Sequence, residues 1–295
     1  MTFRRTCILT LALALGGTAD RIGAAEIGPR IISLSPHITE LLFAAGAGDR
    51  VVGVDDASDY PAAVAGIARV GEPATLDVEG LLKLRPTLIV LWDSGTPPRS
   101  RAELERLHLR LYVTEQHRLD DIGAALLEFG RLAGTEATAA EAARSYQADI
   151  AQLRERYATR PRLKVFYQVW DRPLYTLSGG HVVNEVLSLC GGNNVFAGLS
   201  TLAPEIDKEA VLVSDPDVIL VAATGTEGAR QVLEWSQYPS LRAVRSHHVF
   251  TVDPSLVGRM APRILQGVRE VCGLLDTARA KTSPLGAGPQ APRLQ

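Results

Sequence analysis

A segment without glycine or proline, residues 135–157, divides this chain of 295 residues into two parts. Its many Ala, Glu, Gln and Arg residues favour the α-helix. About 23 residues at a rise of 1.5 Å each would form a helix roughly 34 Å long, which is enough to connect two lobes. Because its apolar content is modest, it suits a connector along a surface better than a core helix. A surface helix within one domain is the alternative.

Short apolar runs alternate with helical patterns on both sides of this segment. A helix is expected to begin at Ser35 and Pro36 and to stop at Gly46. The alternation resumes at Leu163 and continues to Asp276. Strands that alternate with helices pair in parallel within an α/β architecture. The expected buried strands of the first half are residues 31–34, 51–54, 88–92 and 109–113.

The two halves share two short patterns with the same internal spacing. Two related modules with unequal insertions would produce such matches, although shared helix and loop preferences could also produce matches this short. The sequence therefore predicts an α/β fold of two Rossmann-like lobes joined by a single long α-helix, with a ligand cleft between the lobes. The matching residues are Asp77, Glu79 and Leu82 with Asp207, Glu209 and Leu212, and Glu40, Leu42 and Gly46 with Glu185, Leu187 and Gly191.

Residues 1–25 have the pattern of a secretory signal peptide. Two arginines precede an apolar run at residues 8–15, which is too short to span a bilayer, and small residues follow it. We expect cleavage after Ala25, with Ala19 as the competing site, and export to the periplasm; a retained N-terminus is the alternative. Cys7 precedes the apolar run, so it cannot be the acylated cysteine of a lipoprotein.

Cleavage would leave one pair of cysteines, Cys190 and Cys272, in an oxidising compartment. With no third thiol to compete, we predict a disulfide between them; two separately buried thiols are the alternative. Closing a loop of about 80 residues would stabilise the fold by about 4.5 kcal/mol in the chain-entropy model.

Composition excludes several classes of protein. A near balance of 31 basic and 33 acidic residues leaves no basic face for a nucleic acid, which we therefore do not expect as a partner. A hydrophobic content of 46% argues against a disordered chain. We expect an N-terminal lobe at residues 29–134, a connecting helix at 135–160, a C-terminal lobe at 161–276, and a flexible tail at 277–295, where prolines and glycines collect.

The sequence carries no catalytic signature. It has no Gly-x-Ser-x-Gly elbow, no phosphate-binding loop and no His-Glu-x-x-His motif, so we expect no enzyme activity and no bound cofactor. The histidines show no ligand spacing, and His247 and His248 would face opposite sides of a strand. We therefore expect no metal site, although one assembled from distant residues stays open.

Two glutamates recur at matching positions of the halves. Asp77 and Asp207 are suited to cap helices, which places Glu79 and Glu209 in the first helical turn. There a negative charge is favoured by about 0.3 to 1 kcal/mol through the helix dipole. The functional alternative is that the two carboxylates, one in each lobe, dock onto basic residues of a partner.

Three aromatic residues, Tyr60, Trp92 and Trp170, lie in loops or at strand ends, where α/β folds place ligand clefts. Burial in a core is the alternative for the tryptophans. Arg259 follows an expected strand and could donate hydrogen bonds to a ligand or pair with a neighbouring carboxylate.

The chain resembles the periplasmic substrate-binding proteins of ABC importers that have a long interlobe helix, and specifically the vitamin B12-binding type. Its Ser-Pro-x-x-Thr-Glu-Leu opening is shared with haem and siderophore binders, whereas the Cys-Gly-Gly-x-Asn block with a later cysteine is more particular to the B12 type. The resemblance extends over residues 29–276. The blocks that carry it are residues 30–36 with 39–41, 58–61, 189–196 and 261–264.

The resemblance implies a non-enzymatic receptor, monomeric when free, that captures cobalamin or a related corrinoid between its lobes. It would deliver the ligand to a transmembrane permease and its ATPase. Glu79 and Glu209 match the docking glutamates of the family, and Cys190 and Cys272 match its disulfide. The candidate ligand contacts are Ala57, Tyr60, Trp92, Trp170, Ser255, Leu256 and Arg259.

The chain also departs from the B12 type. At several positions where that type carries aromatic residues it has smaller or aliphatic ones, and Trp170 could compensate in part. Haem, an iron siderophore or cobinamide are the alternative ligands. An enzyme or metallochaperone on the same frame, or an interaction protein without a ligand, is the alternative of a different class. The departing positions are Ala57, Pro73, Ala203, Leu256 and Val257.

Overall fold

The structure is a computed structural model that describes residues 28–282. The first part of this range alternates strands and helices up to residue 133. In chain order the elements are β1 (Ile31–Ser33), α1 (Pro36–Ala44), β2 (Val51–Val54), β3 (Ala68–Arg69), β4 (Gly71–Glu72), β5 (Thr75–Leu76), α2 (Val78–Lys83), β6 (Leu88–Trp92), α3 (Pro98–Arg106), β7 (Leu111–Thr114) and α4 (Leu119–Ala133), with short 3₁₀ turns at Gly48–Arg50 and Ala62–Gly66.

A parallel sheet in the order β3-β2-β1-β6-β7 forms the centre of this N-terminal lobe. Alternate residues of its central strands face opposite layers of helices. Ile31 and Val90 pack in the cluster that includes α1 and α4, whereas Ile32 and Ile89 pack in the cluster that includes α2 and α3. Helices on both faces explain why these strands appear in the sequence as continuous apolar runs.

The connecting helix, α5, spans Glu136–Tyr157 and begins after Gly134, whose φ of 72° ends α4. It packs along α4 and also contacts two helices of the other lobe, α6 (Val182–Leu189) and α11 (Ile264–Thr282). Its buried residues recur every three or four positions, so a narrow apolar stripe holds the helix against both lobes. These residues are Ala139, Ala143, Tyr146, Ile150, Leu153 and Tyr157.

The second half repeats the alternation around a parallel sheet in the order β11-β8-β12-β13. In chain order its elements are β8 (Leu163–Gln168), β9 (Trp170–Asp171), β10 (Leu174–Tyr175), α6 (Val182–Leu189), β11 (Gly192–Asn194), α7 (Lys208–Ser214), β12 (Val218–Ala222), α8 (Gly225–Trp235), α9 (Arg242–Arg245), β13 (Val249–Val252), α10 (Pro254–Val257) and α11 (Ile264–Thr282).

The predicted disulfide is present between Cys190, at the end of α6, and Cys272 in α11. The two Cα atoms are 4.7 Å apart, and both side chains are completely buried. The link therefore fastens α11 to the core of the C-terminal lobe.

The prediction that a flexible tail begins at residue 277 is wrong for residues 277–282, because α11 continues to Thr282. Arg279 anchors this last part of the helix. Its guanidinium donates to the Cys190 carbonyl at 2.7 Å and to the Pro161 carbonyl at 2.9 Å, and it pairs with Asp276 at 2.7 Å. The rest of the expected tail, residues 283–295, and the expected signal peptide lie outside the described residues.

The fold is α/β, with two Rossmann-like lobes joined by one long helix, as the sequence predicts. The residue limits expected for each lobe stay predictions. In the described range, 28–282, none of the helices combines the length and the apolar character needed to cross a membrane.

Candidate ligand cleft

Side chains from both lobes line a cavity of about 190 Å³. The N-terminal lobe contributes residues at the carboxyl ends of β1, β6 and β7, and the C-terminal lobe contributes the loop between α10 and α11. Carboxyl ends of parallel strands are where open α/β sheets bind ligands. The lining residues are Ser35, Pro36, His37, Trp92, Gln116, Gly258, Arg259 and Met260.

Trp92 forms an apolar wall of this cavity, and its indole is fixed by Glu115. The indole Nε1 donates to Glu115 Oε1 at 2.8 Å, and the backbone and hydroxyl of Ser94 donate to Glu115 Oε2 at 2.9 and 2.7 Å. Burial opposes ionisation of Glu115, but hydrogen bonds from Trp92 and Ser94 lower its pKa. These hydrogen bonds hold the indole ring in one orientation.

His37 meets the Trp92 ring edge-on, with 5.2 Å between ring centroids. Burial lowers the pKa of His37 to about 4, with Glu115 opposing the shift and Arg259 adding to it, so the imidazole is neutral near pH 7. Ser35 lies at the predicted N-cap of α1 with an extended backbone. Its hydroxyl is hydrogen bonded to His37 Nδ1 at 2.7 Å and does not cap a backbone N–H of the helix. No sequence motif predicted His37 as a cleft residue, although its position just after β1 is typical of such residues.

An ion cluster of Glu40, Asp59, Arg259 and Arg263 connects the lobes. Arg259 donates to Glu40 Oε1 at 3.2 Å and contacts both carboxylate oxygens of Asp59, one of them at 3.2 Å. Arg263 donates to Glu40 at 2.7 and 3.2 Å. The Arg259 hydrogen bond lowers the pKa of Asp59. Of the two roles that the sequence left open for Arg259, the structure shows pairing with carboxylates.

Tyr60 lies on the other side of this ion cluster. Its ring is 43% exposed, and the Arg263 guanidinium stacks over it at 4.3 Å from the ring centroid. Tyr60 lines a second cavity of about 470 Å³ together with Glu40 and Arg263. The ion cluster therefore borders both cavities. The second cavity is also lined by Phe43, Ala44, Pro61, Pro262, Leu265, Gln266 and Arg269.

The structure brings together some of the candidate contacts but not all. Trp92 and Arg259 share the first cavity, whereas Trp170 is 60% exposed and lines neither cavity. Ala57 is exposed in the loop after β2, and Ser255 and Leu256 are half-buried in α10; these three also line neither cavity.

Glu79 and Glu209 occupy equivalent places in the two lobes. Asp77 accepts from the Gly80 N–H at 2.9 Å and Asp207 from the Ala210 N–H at 2.7 Å, so both act as the predicted helix caps. Each glutamate then lies exposed in the first turn of its helix. Glu79 pairs with Lys83 at 2.8 Å on the open surface.

The geometry provides one aromatic wall, neutral polar groups and a compensated ion cluster. In the part of the chain that the structure describes, no group of three or more His, Cys, Asp or Glu side chains is close enough to hold a metal ion. The cleft therefore offers a ligand one aromatic face and several hydrogen-bonding groups.

Comparison with known proteins agrees with this arrangement. The sequence profile described as "Periplasmic binding protein" matches residues 31–256, which is more than half of the chain. The chain belongs to the periplasmic binding protein family. A periplasmic binding protein related to it, the vitamin B12-binding protein of Vibrio cholerae serotype O1, is 35% identical over 250 residues, covering 85% of this chain and 90% of the relative.

Two solved periplasmic binding proteins have the same fold. The vitamin B12-binding protein of Vibrio cholerae superposes with a TM-score of 0.79 at 34% identity, covering 85% of this chain and 98% of that one. The haem-binding protein of Roseiflexus sp. RS-1 in its apo form superposes with a TM-score of 0.75 at 27% identity, with the same coverage. Proteins named for two different macrocycles thus share this two-lobed architecture.

Proposed function

We propose that this chain is a periplasmic substrate-binding protein that captures cobalamin or a related corrinoid and delivers it to the permease of an ABC importer. One observation carries the proposal. A cavity walled by Trp92 and Arg259 lies between the lobes of a chain that is 35% identical to a vitamin B12-binding protein.

The size of the cavity indicates how the ligand enters. A volume of about 190 Å³ is below the roughly 300–1,000 Å³ that is usual for small-molecule sites. The lobes must therefore separate, and the contacts of Arg259 with Asp59 must loosen. Because the Asp59 side chain is 63% exposed, water can replace Arg259 as its partner. Opening would join the space on the two sides of the ion cluster.

In the opened cleft the Trp92 ring would lie against a face of the corrin ring, where apolar contact is favourable. Arg259, once released, can donate hydrogen bonds to amide oxygens of the ligand. The remaining candidate contacts would meet parts of the ligand that extend beyond the present cavities. These are Ala57, Tyr60, Trp170, Ser255 and Leu256.

Glu79 and Glu209 are the proposed docking points for the permease, with its ATPase on the other side of the membrane. Their exposure, and the equivalent places that they occupy in the two lobes, support this role, because paired charges fix the orientation of a partner. The helix dipole also favours a glutamate at each of these positions. The signal peptide at residues 1–25 would deliver the chain to the periplasm. There we expect the free protein to be a monomer without a cofactor.

Titration calorimetry of the chain without residues 1–25 tests the ligand. Cyanocobalamin, cobinamide and haemin are titrated separately, with intrinsic tryptophan fluorescence as a second readout. We expect tight binding of a corrinoid with quenching of Trp92. Tight binding of haemin with no binding of either corrinoid would show that the ligand is haem and not a corrinoid.

Haem is the second candidate because of one specific observation. His37 lines the interlobe cavity as a neutral imidazole, and that is the form that ligates haem iron. A Soret shift of bound haemin that is lost in His37→Ala would support this candidate. An unchanged spectrum would remove it.

A further inference from the structure

Gln116 is an unexplained polar residue in the interlobe cavity. It follows β7 by two positions, lines the cavity together with Trp92, and is 7% exposed. Its side-chain Nε2 donates to Thr114 Oγ1 at 2.5 Å. Its Oε1 is buried and, within residues 28–282, has no hydrogen-bond partner.

A buried acceptor without a partner is costly. Leaving an amide oxygen unpaired in the interior costs about 1–3 kcal/mol, and native folds contain few such groups. In the orientation that the structure gives the amide, Nε2 donates to Thr114 and Oε1 is the end without a partner. A ligand that supplies an N–H to Oε1 would provide the missing hydrogen-bond partner on binding.

The charges around the cavity decide what kind of donor it accepts. Arg259 is the cation among the lining residues, and it already contacts Glu40 and Asp59. The carboxylate of Glu115, next to Gln116 in sequence, has a lowered pKa and is ionised near pH 7. The Gln116 oxygen and the nearby Glu115 carboxylate therefore disfavour a ligand carboxylate at this point of the cavity, whereas a neutral carboxamide would meet a suitable acceptor.

We infer that Gln116 Oε1 accepts a hydrogen bond from a carboxamide N–H of the ligand and so selects macrocycles with amide side chains over those with carboxylates. The inference rests on the proposed function and extends it to a specificity determinant. A cobalamin carries carboxamides around its corrin ring, and haem carries two propionates. The two classes of ligand considered for this cleft thus differ in the group that Gln116 distinguishes.

The test compares amide and acid forms of the same macrocycle by calorimetry. Wild-type chain without residues 1–25 is titrated with cyanocobalamin and with each of its monocarboxylic acids, in which one peripheral amide is hydrolysed. It is also titrated with haemin and with haemin whose propionates are amidated. We expect at least one acid to bind about tenfold more weakly than its amide, equivalent to about 1.4 kcal/mol. Equal affinities throughout, or a preference for acids, would overturn the inference.

The variant Gln116→Met keeps the length of the side chain and removes the acceptor. We expect it to reduce the affinity for the amide form about tenfold and to abolish the difference in affinity between amide and acid. The control Gln237→Met, at an exposed position, should keep the wild-type affinity and the wild-type difference. Unchanged discrimination in Gln116→Met would contradict the inference. The wild-type comparison decides the question if that variant does not fold.

The two proposals fail in different ways. If corrinoids do not bind but amidated haemin binds more tightly than haemin, and Gln116→Met removes that preference, the role of Gln116 holds and the corrinoid proposal fails. If cyanocobalamin binds and its acids bind equally well, the corrinoid proposal holds and the role of Gln116 fails.

Discussion

Arg263 of the C-terminal lobe donates to Glu40 Oε1 of the N-terminal lobe at 2.7 Å, and the Glu40 side chain is only 3% exposed. A buried carboxylate that receives two guanidinium groups fastens the lobes at the mouth of the cleft. The ion cluster therefore stabilises the contact between the lobes.

Glu40→Gln should destabilise the protein by about 3 kcal/mol, because it leaves two partly buried arginines without their shared carboxylate. The free energy of unfolding in urea, measured by circular dichroism, checks this. Glu141→Gln is the matched control, since Glu141 pairs with Arg144 on the open surface and should change stability by about 0–1 kcal/mol. Equal effects of the two substitutions would show that the interlobe ion pairs contribute no more to the free energy of unfolding than a surface ion pair does.

His37 should make the stability of the protein depend on pH. Its pKa is about 4 in the folded protein and about 6.5 when unfolded, so between these values the unfolded state binds more protons. Its contribution is complete above about pH 6.5 and is lost as the pH falls towards 4, by about 2 kcal/mol between pH 7 and pH 5.

Unfolding free energies of His37→Asn at these two pH values check this prediction. The variant should lose about that part of the pH dependence. Part of the remaining pH dependence comes from His181, because burial also lowers the pKa of that residue. A wild-type slope in His37→Asn would contradict the prediction.

Trp92 should contribute more to ligand binding than Trp170. Truncation of an aromatic residue at the centre of a binding site costs about 2 kcal/mol or more, so Trp92→Ala should weaken cyanocobalamin binding about 30-fold. Trp170 lines neither cavity, and Trp170→Ala should have a smaller effect. Calorimetric titration measures both, and a larger loss for Trp170→Ala would place the ligand elsewhere in the interlobe space.

The double substitution Glu79→Ala with Glu209→Ala should abolish stimulation of the transporter ATPase while ligand affinity stays unchanged. Each single variant should keep part of the stimulation, since one charged contact remains. Glu103→Ala is the control because Glu103 is also exposed, on α3 of the N-terminal lobe. Full stimulation by the double variant, measured with the permease in proteoliposomes, would exclude these glutamates as docking points.

The features that depend on neighbouring residues were predictable from the sequence. Asp77 and Asp207 cap their helices because a cap involves a residue and the N–H groups two or three positions later. The disulfide could be predicted because two cysteines remain beyond the expected signal peptide. The start of the tail could not, because the carbonyls that Arg279 contacts belong to Pro161 and Cys190, far away in the sequence.

The composition of the cleft was predictable only in part. Trp92 and Arg259 stand out as an aromatic residue at a strand end and a cation after a strand, and the structure places both in one cavity. Glu40 and Gln116 gave no such signal as site residues, because their importance arises from contacts between segments that only folding brings together. The one available signal for Gln116 is its position two residues after the end of β7.

Because the Cys190–Cys272 disulfide lies within the C-terminal lobe, the stability of that lobe depends on oxidation, whereas the N-terminal lobe has no such link in the described residues. Both cysteines belong to the C-terminal lobe and are completely buried, so a reductant reaches the sulfur atoms only when that lobe opens. In a reducing environment a newly made C-terminal lobe lacks about 4–5 kcal/mol that the N-terminal lobe never needs. Once the disulfide has formed, the folded lobe buries it. The chain therefore keeps the disulfide after it leaves the oxidising compartment in which it folded.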